Sequence, residues 1–135
     1  MENIIIDKPA WICIKDKKVL MARSHGQDVF YTPGGGREEG ETSEQALIRE
    51  VKEELLVDIV PETIKHYGTF TAPAHGRPEG TIVQMTCYTA DYIGELQVDD
   101  VEIAEYAWFG SADMDKLSAV GLIVFKDLRE KNLIE

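Results

Sequence analysis

The sequence feature that most restricts the fold is the segment over residues 35–57, where a glycine-rich turn leads into a pattern typical of an amphipathic helix. At about 100° per residue and with Glu50 as the reference, Glu53 lies at about −60° and Glu54 at about +40° around the helix axis. Four apolar side chains lie between about +60° and +160°, those of Leu47, Ile48, Val51 and Leu55. The pattern predicts a helix that buries one stripe and carries its glutamates along the border of that stripe.

This arrangement of glutamates is unfavourable for an isolated helix. Like charges three or four residues apart destabilise a helix by about 0.2–0.5 kcal/mol per pair. The helix dipole favours carboxylates in the first turn and cations in the last, by about 0.3–1 kcal/mol each, whereas this cluster lies toward the carboxyl end. A bound divalent cation would reverse both effects, because hard cations such as Mg²⁺ take carboxylate oxygens as ligands. The alternative is an acidic, solvated helix face relieved by Arg49 and Lys52.

Fixed spacing along the same segment gives a second indication. The residues concerned are Gly35, Glu41, Arg49, Glu50, Glu53 and Glu54. Their spacing resembles the signature of the Nudix hydrolases, G-x5-E-x7-R-E-U-x-E-E-x-G-U, in which U is a bulky aliphatic residue. Leu56 is the single departure, since it stands where the family has its second glycine.

The resemblance implies an α/β fold, a Nudix-type α/β/α sandwich around a mixed β-sheet, formed by one domain over residues 1–135. It also implies a metal-dependent hydrolase that cleaves a phosphoanhydride bond in a nucleoside diphosphate linked to another group, such as a nucleoside triphosphate or an ADP-ribose-like compound. The expected cofactor is Mg²⁺, with Mn²⁺ as a substitute. The alternative is a non-catalytic nucleotide-binding or regulatory module with the same fold.

Carried over to this sequence, the resemblance implies a set of catalytic and metal-binding residues. The expected metal ligands are Glu50, Glu53, Glu54 and the carbonyl of Gly34. A carboxylate accepts the proton of the attacking water, and Glu53 and Glu102 are the candidates, with Glu105 as a reserve for Glu102. Arg49 is expected to orient a catalytic glutamate through a charge-assisted hydrogen bond. An exposed acidic loop is the alternative for the region around residues 102–105.

Four further residues are expected to contact the substrate. Gly35 and Gly36 allow the backbone to approach a ligand closely. The resemblance implies that Arg23, at a strand end, approaches the substrate phosphates, and Arg77 lies in a loop whose composition is typical of substrate-binding loops. The alternatives are a plain turn for the glycines, a solvent-facing side chain for Arg23 and a simple connection for the loop around Arg77.

Local signals define the ends of the central helix. Thr42 is a good N-cap, and Gln45 three residues later completes a capping box. At the other end, a leucine in the left-handed conformation that a family glycine would adopt costs about 1–2 kcal/mol. Either Leu56 accepts this strain or the helix ends by another route.

Composition restricts the partners and the cellular location. The formal net charge of −11 and the pI near 4.7 argue against nucleic-acid binding, which needs a basic surface. The apolar run at residues 4–6 is too short for a signal or membrane segment, so we expect a cytoplasmic protein with no membrane partner. Cys13 and Cys87 are expected to be buried thiols, with a disulfide as the alternative. A small nucleotide is the expected partner, and a homodimer is possible from the resemblance alone.

Short apolar runs predict the remaining elements. Strands are expected over residues 10–14, 19–23, 64–70, 82–92 and 104–109, with a short extended piece over residues 29–32, and helices over residues 113–117 and 120–131.

Overall fold

The computed structural model describes residues 4–74 and 78–135. The strands are β1 (Ile4–Ile12), β2 (Ile14–Lys15), β3 (Lys18–Ser24), β4 (Asp58–Ile59), β5 (Lys65–Pro73), β6 (Thr81–Thr89), β7 (Tyr92–Ile93) and β8 (Ile103–Phe109). The helices are α1 (Ser43–Leu55) and α2 (Ala119–Glu130), and two 3₁₀ turns cover Pro61–Thr63 and Ser111–Lys116.

The strands form a mixed sheet and two antiparallel ones. β1 runs parallel to β6, and β5 runs antiparallel to β6, so the order is β1-β6-β5. The second sheet has the order β2-β3-β8 and the short β4 and β7 pair separately. The parallel pair joins segments far apart in sequence, with Ile4 opposite Thr81.

The two helices cover opposite faces of this strand layer. Side chains alternate between the faces of a strand, and in β1 Trp11 packs in the apolar cluster of α1, while Ala10 and Ile12 pack in the cluster of α2. From α1 the first cluster receives Leu47, Val51 and Leu55. From α2 the second receives Val120, Val124, Phe125 and Leu128. The α/β/α sandwich predicted from the resemblance is therefore confirmed.

Helix α1 begins and ends as local chemistry requires. The Thr42 side chain accepts the Gln45 backbone N–H at 3.1 Å, and the Gln45 side chain accepts the Thr42 backbone N–H at 2.9 Å. This is the predicted capping box. Leu56 ends the helix in the left-handed region, with φ 61° and ψ 28°, and donates its N–H to the Lys52 carbonyl at 3.1 Å. Of the two routes left open by the sequence, the leucine takes the strained one.

Several elements differ from the sequence expectation. β1 begins at Ile4, six residues before the predicted start at residue 10, because its first half is held by β6. β5 continues to Pro73, beyond the predicted end at residue 70, and β6 ends at Thr89, before the predicted end at residue 92. The segment predicted as extended over residues 29–32 forms only isolated bridges, and the segment predicted as a helix over residues 113–117 lies in the 3₁₀ turn up to Lys116. The bounds of β1 and β5 depend on pairing with β6, which is distant in the chain.

Both cysteines are free and buried, as predicted. Cys13 belongs to the cluster of α1 and Cys87 to the cluster of α2, so they lie on opposite faces of the strand layer. Burial raises the pKa of each thiol to about 12. Within the described part of the chain, none of the helices has the length and apolar character needed to cross a membrane.

Candidate active site

The glycine turn before α1 lies between β1 and the helix. The Pro33 carbonyl accepts the Trp11 N–H at 2.8 Å, and the Gly35 N–H donates to the Pro9 carbonyl at 3.2 Å. Gly34 has φ 141°, and a Cβ there would collide with the Pro9 carbonyl oxygen. At Gly35 an added Cβ would lie 2.6 Å from the Glu50 carboxyl carbon. Two glycines therefore let the turn pack closely against β1 and against α1.

Glu54 is the most deeply buried acid of the helix, with a relative exposure of 3%. Its Oε1 accepts the Gly34 N–H at 2.9 Å, and its Oε2 accepts the Tyr31 hydroxyl at 3.3 Å. Burial raises the pKa of the Glu54 carboxyl to about 8, and the neighbouring charge of Glu50 acts in the same direction, against the Gly34 and Tyr31 donors, which lower it. Glu54 thus lies in the interior with neutral partners.

Arg49 occupies the other side of the helix and holds several carboxylates. Its Nε and Nη2 donate to the two oxygens of Glu41 at 2.8 and 3.0 Å, a bidentate pair. Its Nη1 donates to Glu50 at 3.0 Å and to Glu53 at 3.3 Å, and its Nη2 also reaches the Gly36 carbonyl at 3.1 Å. The guanidinium therefore fixes the turn and the outer glutamates together.

The glutamates of α1 differ in exposure in the order expected from their angles. The Glu53 side chain, farthest from the apolar stripe, is 53% exposed, and that of Glu50 is 18% exposed. Burial raises the pKa of Glu50, and its bond to Arg49 opposes the shift. Glu50 lies between the buried Glu54 and the exposed Glu53, and it interacts with both sides of the helix.

A cleft of about 570 Å³ opens beside the glycine turn. Its polar lining includes Gly34, Gly35, Gly36, Glu50, Glu54, Glu102, Ser24 and Tyr31. Its apolar lining comes from Ile6, Val29, Ala74, Val83, Met85 and Val120. Lys8 is the one cation among the described residues that line it. The cleft therefore combines carboxylates and backbone groups with an apolar surface.

A larger cavity of about 810 Å³ lies at the far end of β1, and none of the predicted site residues that the structure describes lines it. Its walls include Cys13, Tyr92 and Trp108. Because Cys13 has a strongly raised pKa, this cavity lacks a reactive thiolate. The smaller cleft is the candidate active site on chemical grounds, although it is not the larger of the two.

The structure brings together only part of the predicted set. Glu50, Glu54, Glu102 and the three glycines line the cleft, whereas Arg49 and Glu53 lie beside it. Arg23 donates to Glu105 at 3.0 Å and to the Gln27 carbonyl at 3.1 Å, and it is not part of the cleft wall. Arg77 lies outside the described residues.

Comparison with known proteins identifies the family. The NUDIX domain profile matches residues 8–127, which is most of the 135-residue chain. The chain belongs to the Nudix family. Solved structures agree on the Nudix fold: a MutT protein from Methanosarcina mazei superposes with a TM-score of 0.77 at 18% identity, and 98% of each chain is covered.

Two relatives show the range of the Nudix proteins that this chain resembles. An ADP-ribose pyrophosphatase of Methanocaldococcus jannaschii is 33% identical over 124 residues, which cover 87% of this chain and 70% of the relative. A NAD-capped RNA hydrolase of Vibrio vulnificus is 30% identical over 125 residues, which cover 89% of this chain and 44% of the relative. This chain thus spans less than half the length of that RNA hydrolase.

The Nudix resemblance implies a divalent cation, and the donor chemistry of the cleft fits one. Glu54 is a nearly buried carboxylate whose partners among the described residues are two neutral donors, and an ionised carboxylate without a cation is costly to bury. Glu50 and Glu102 supply further hard oxygen atoms on the same cleft. Within the described residues no three acidic, histidine or cysteine side chains converge to hold a metal, and Arg49 is hydrogen-bonded to Glu50 and Glu53.

Sequence reasoning missed several polar residues of this Nudix cleft, among them Tyr31, Ser24 and Lys8. Tyr31 contacts Glu54, Ser24 contacts Tyr31, and Lys8 lines the wall. Tyr31 is only two residues before Pro33 and the glycine turn, and a polar aromatic at that position was the available signal. Lys8 had no local signal, because the extension of β1 that places it there depends on β6.

Proposed function

We propose that this protein is a metal-dependent pyrophosphohydrolase, which cleaves a phosphoanhydride bond in a nucleoside diphosphate linked to another group. The observation that carries the proposal is the buried Glu54 carboxylate, anchored on the Gly34 amide at 2.9 Å in a cleft shared with Glu50 and Glu102. Burial of a carboxylate beside other acids is unfavourable unless a cation neutralises them. Membership in the Nudix family supports the same reaction class.

The acidic residues of the site and the Gly34 carbonyl each have a proposed role. Glu54 and Glu50 would hold Mg²⁺ or Mn²⁺, with the Gly34 carbonyl and Glu53 as additional ligands. When bound, the cation supplies charge neutralisation at the phosphoanhydride and lowers the pKa of a coordinated water. Glu102, an exposed acid on the cleft wall, would accept the proton of the attacking water, and Glu53 is the other candidate for this role.

Arg49 has a supporting role in this proposal. Its contacts with Glu41, Glu50 and the Gly36 carbonyl fix the glycine turn relative to α1. In this arrangement Gly35 and Gly36 present backbone groups to the substrate phosphates. Arg23, which is paired with Glu105, and Arg77 stay as predicted phosphate contacts.

The residues that line the cleft suggest which part of a substrate each would contact. The diphosphate would lie against the glutamates, and the linked group would contact the apolar lining and Lys8. Nucleoside triphosphates and ADP-ribose-like compounds both have this division between an anionic and a less polar part. The name of the archaeal relative, ADP-ribose pyrophosphatase, supports the second class.

The alternative function is a nucleotide-binding or regulatory module without catalysis. One observation favours it: in the described residues the glutamates do not converge into a three-ligand metal site, and Arg49 occupies two of them. Under this alternative the buried Glu54 supports the glycine turn and binds no metal.

A substrate panel tests the choice between these functions. The purified protein is incubated with Mg²⁺ or Mn²⁺ and nucleoside triphosphates, ADP-ribose, dinucleotides, and RNA oligonucleotides with triphosphate or NAD ends, and the phosphate products are identified. The proposal predicts cleavage of at least one diphosphate linkage and its loss in Glu54→Gln. Glu44→Gln, an exposed glutamate in the first turn of the same helix, is the matched control. Saturable nucleotide binding without turnover of any compound would support the alternative instead.

Several expectations stay predictions within this proposal. They are a single domain over residues 1–135, a cytoplasmic location, Mg²⁺ rather than Mn²⁺ as the natural ion, and a homodimer. The expectation that nucleic acid is not a partner is tested by the RNA members of the panel, since two groups of relatives carry RNA in their names.

A further inference from the structure

We propose that Tyr31 is a positioning residue, whose hydroxyl orients the Glu54 carboxylate toward the cleft. The inference rests on the proposed function, because it assigns Tyr31 a role in the reaction through Glu54. It concerns a residue outside the helix and outside the glycine turn.

The contact geometry forms a short chain of hydrogen bonds. The Tyr31 hydroxyl lies 2.7 Å from the Ser24 Oγ and 3.3 Å from the Glu54 Oε2. The second carboxylate oxygen of Glu54 is held by the Gly34 N–H at 2.9 Å. Both oxygens of the Glu54 carboxylate thus accept a hydrogen bond, one from the backbone of the turn and one from a tyrosine hydroxyl.

The direction of each hydrogen bond follows from the donor inventory. A carboxylate that binds a metal is ionised and only accepts hydrogen bonds. The Tyr31 hydroxyl therefore donates its proton to Glu54, and its oxygen accepts the proton of the Ser24 hydroxyl. Ser24 thereby sets the rotation of the tyrosine O–H bond, and Tyr31 sets the plane of the carboxylate.

The backbone around Tyr31 is itself fixed. The Tyr31 N–H donates to the Ala22 carbonyl at 2.8 Å, and the Ala22 N–H donates to the Tyr31 carbonyl at 2.9 Å. Ser24 lies two residues further along the same strand, β3. The hydroxyl of Tyr31 is therefore held by β3 while it contacts a carboxylate on α1, and it joins these two elements beneath the cleft.

Packing does not account for Tyr31. It belongs to neither of the two apolar clusters formed by the described residues, and it lines the cleft. The neighbouring Phe30, in contrast, is a buried member of the cluster of α2. The polar end of Tyr31, rather than its ring, is the part with an assigned partner in the site.

Removal of this hydroxyl has a distinct expected result. Partners that orient a metal ligand change metal affinity or activity by about 10- to 100-fold when they are lost. In Tyr31→Phe, Glu54 keeps its bond to Gly34 but loses the one from the tyrosine. We expect a 10- to 100-fold lower kcat, about tenfold weaker Mg²⁺ binding and a nucleotide KM within about twofold of the wild type. Ser24→Ala, which removes only the second link, should give a smaller change in the same direction.

A matched control exists elsewhere in the molecule. The Tyr67 hydroxyl donates to Asp127 at 2.7 Å, where β5 meets α2, and neither residue lines the cleft. Tyr67→Phe therefore also deletes a tyrosine–carboxylate hydrogen bond and should lower Tm, but it should leave kcat and Mg²⁺ affinity unchanged.

The experiment compares the wild type, Tyr31→Phe, Ser24→Ala and Tyr67→Phe in the full chain. Three quantities are measured: Tm without metal, Mg²⁺ affinity by calorimetry, and kcat and KM on the substrate found in the panel. Unchanged Mg²⁺ affinity and kcat in Tyr31→Phe would overturn the inference, as would an equal loss in Tyr67→Phe.

Failure of the proposed function gives a different result. A wild type that binds Mg²⁺ without turnover contradicts the hydrolase, and the Mg²⁺ affinities of the same four proteins then decide the role of Tyr31 alone. A wild type without turnover and without Mg²⁺ binding contradicts both.

Discussion

The two sides of helix α1 differ in how the negative charge of their acidic residues is compensated. On the Arg49 side, defined by Arg49 with Glu41 and Glu53, a guanidinium compensates the acids through bonds as short as 2.8 Å. On the Glu54 side, defined by Glu54 with Gly34 and Tyr31, the acid has only neutral donors among the described residues. Glu50 lies between the sides and is bonded to Arg49.

The pKa values of two glutamates express this difference. The bidentate bond from Arg49 lowers the pKa of Glu41 to about 2, whereas burial raises the pKa of Glu54 to about 8. The same residue type therefore has opposite tendencies within one motif. Arg49 holds the compensated acids in place, and the uncompensated charge of Glu54 supports its proposed role as a metal ligand.

The largest effect is expected from removal of the charge on the Glu54 side. Glu54→Gln deletes a proposed metal ligand, and the several kcal/mol of stabilisation that a metal ion supplies correspond to about a thousandfold loss of kcat/KM. Steady-state kinetics on the identified substrate measures this loss. The Glu44→Gln protein should retain the kcat/KM of the wild type. Wild-type kcat/KM in the Glu54→Gln protein would contradict the assignment of Glu54.

Although Glu54→Gln should lower activity, the same substitution should raise the stability of the metal-free protein. Because the folded pKa of Glu54 lies above the ordinary glutamate value of 4.5, the folded state binds more protons than the unfolded state between about pH 4.5 and pH 8. The stabilisation from the protonated form is thus complete below about pH 4.5 and is lost as pH rises through about 8. In EDTA at pH 8, Glu54→Gln should be more stable than the wild type in urea unfolding, and this gain should vanish at pH 4.

The next largest effect is expected on the Arg49 side. Arg49→Lys retains the charge but loses the bidentate bond to Glu41 and the contact with the Gly36 carbonyl. We expect a loss of about 1.5–3 kcal/mol in the free energy of unfolding, the range for hydrogen bonds to charged groups. Denaturant unfolding in EDTA measures it. If the lysine variant equals the wild type, the Arg49 contacts contribute nothing to the fold.

A smaller effect is expected where the two sides meet. In Gly35→Ala the new methyl group would lie 2.6 Å from the Glu50 carboxyl carbon, the end of a flexible side chain, so the carboxylate should shift. We expect about tenfold weaker Mg²⁺ binding, measured by calorimetry, with little change in Tm. Gly36→Ala, where an added Cβ meets open space, should keep the Mg²⁺ affinity of the wild type.

The smallest effect is expected from Leu56 at the end of α1, whose substitution should leave the Arg49 side and the Glu54 side unchanged. Leu56 adopts φ 61° at the end of the helix, and glycine relieves that conformation. Leu56→Gly should raise the free energy of unfolding by about 1 kcal/mol, as measured in urea. Its Mg²⁺ affinity should equal that of the wild type, and a change would show that the helix end contributes to the cleft.

Much of the site could be predicted because helical geometry is local. The angles around α1 placed Glu54 next to the apolar stripe and Glu53 away from it, and the exposed fractions of these side chains follow that order. The capping box at Thr42 was also readable, because its partners are three residues apart. Short-range chemistry of this kind needs no knowledge of the rest of the chain.

The contacts of Arg23 show where this reasoning ends. Arg23 stays a predicted phosphate contact, but its guanidinium donates to Glu105, a partner 82 residues away that no local pattern indicates. The pairing arises because β3 lies antiparallel to β8 with Arg23 opposite Glu105. A strand register is a property of two distant segments, and neither sequence alone contains it.

The sequence by itself indicated the family and the identity of the acids on α1, because these depend on residue type and on spacings of a few residues. The order of layers followed only from the resemblance to that family. The tertiary structure decided which acids are compensated. It placed Arg49 against Glu41 and Glu50, and it brought Gly34 and Tyr31 to the two oxygens of Glu54. Burial and charge compensation depend on what surrounds a side chain in space, and those surroundings come from strands and turns far apart in the chain.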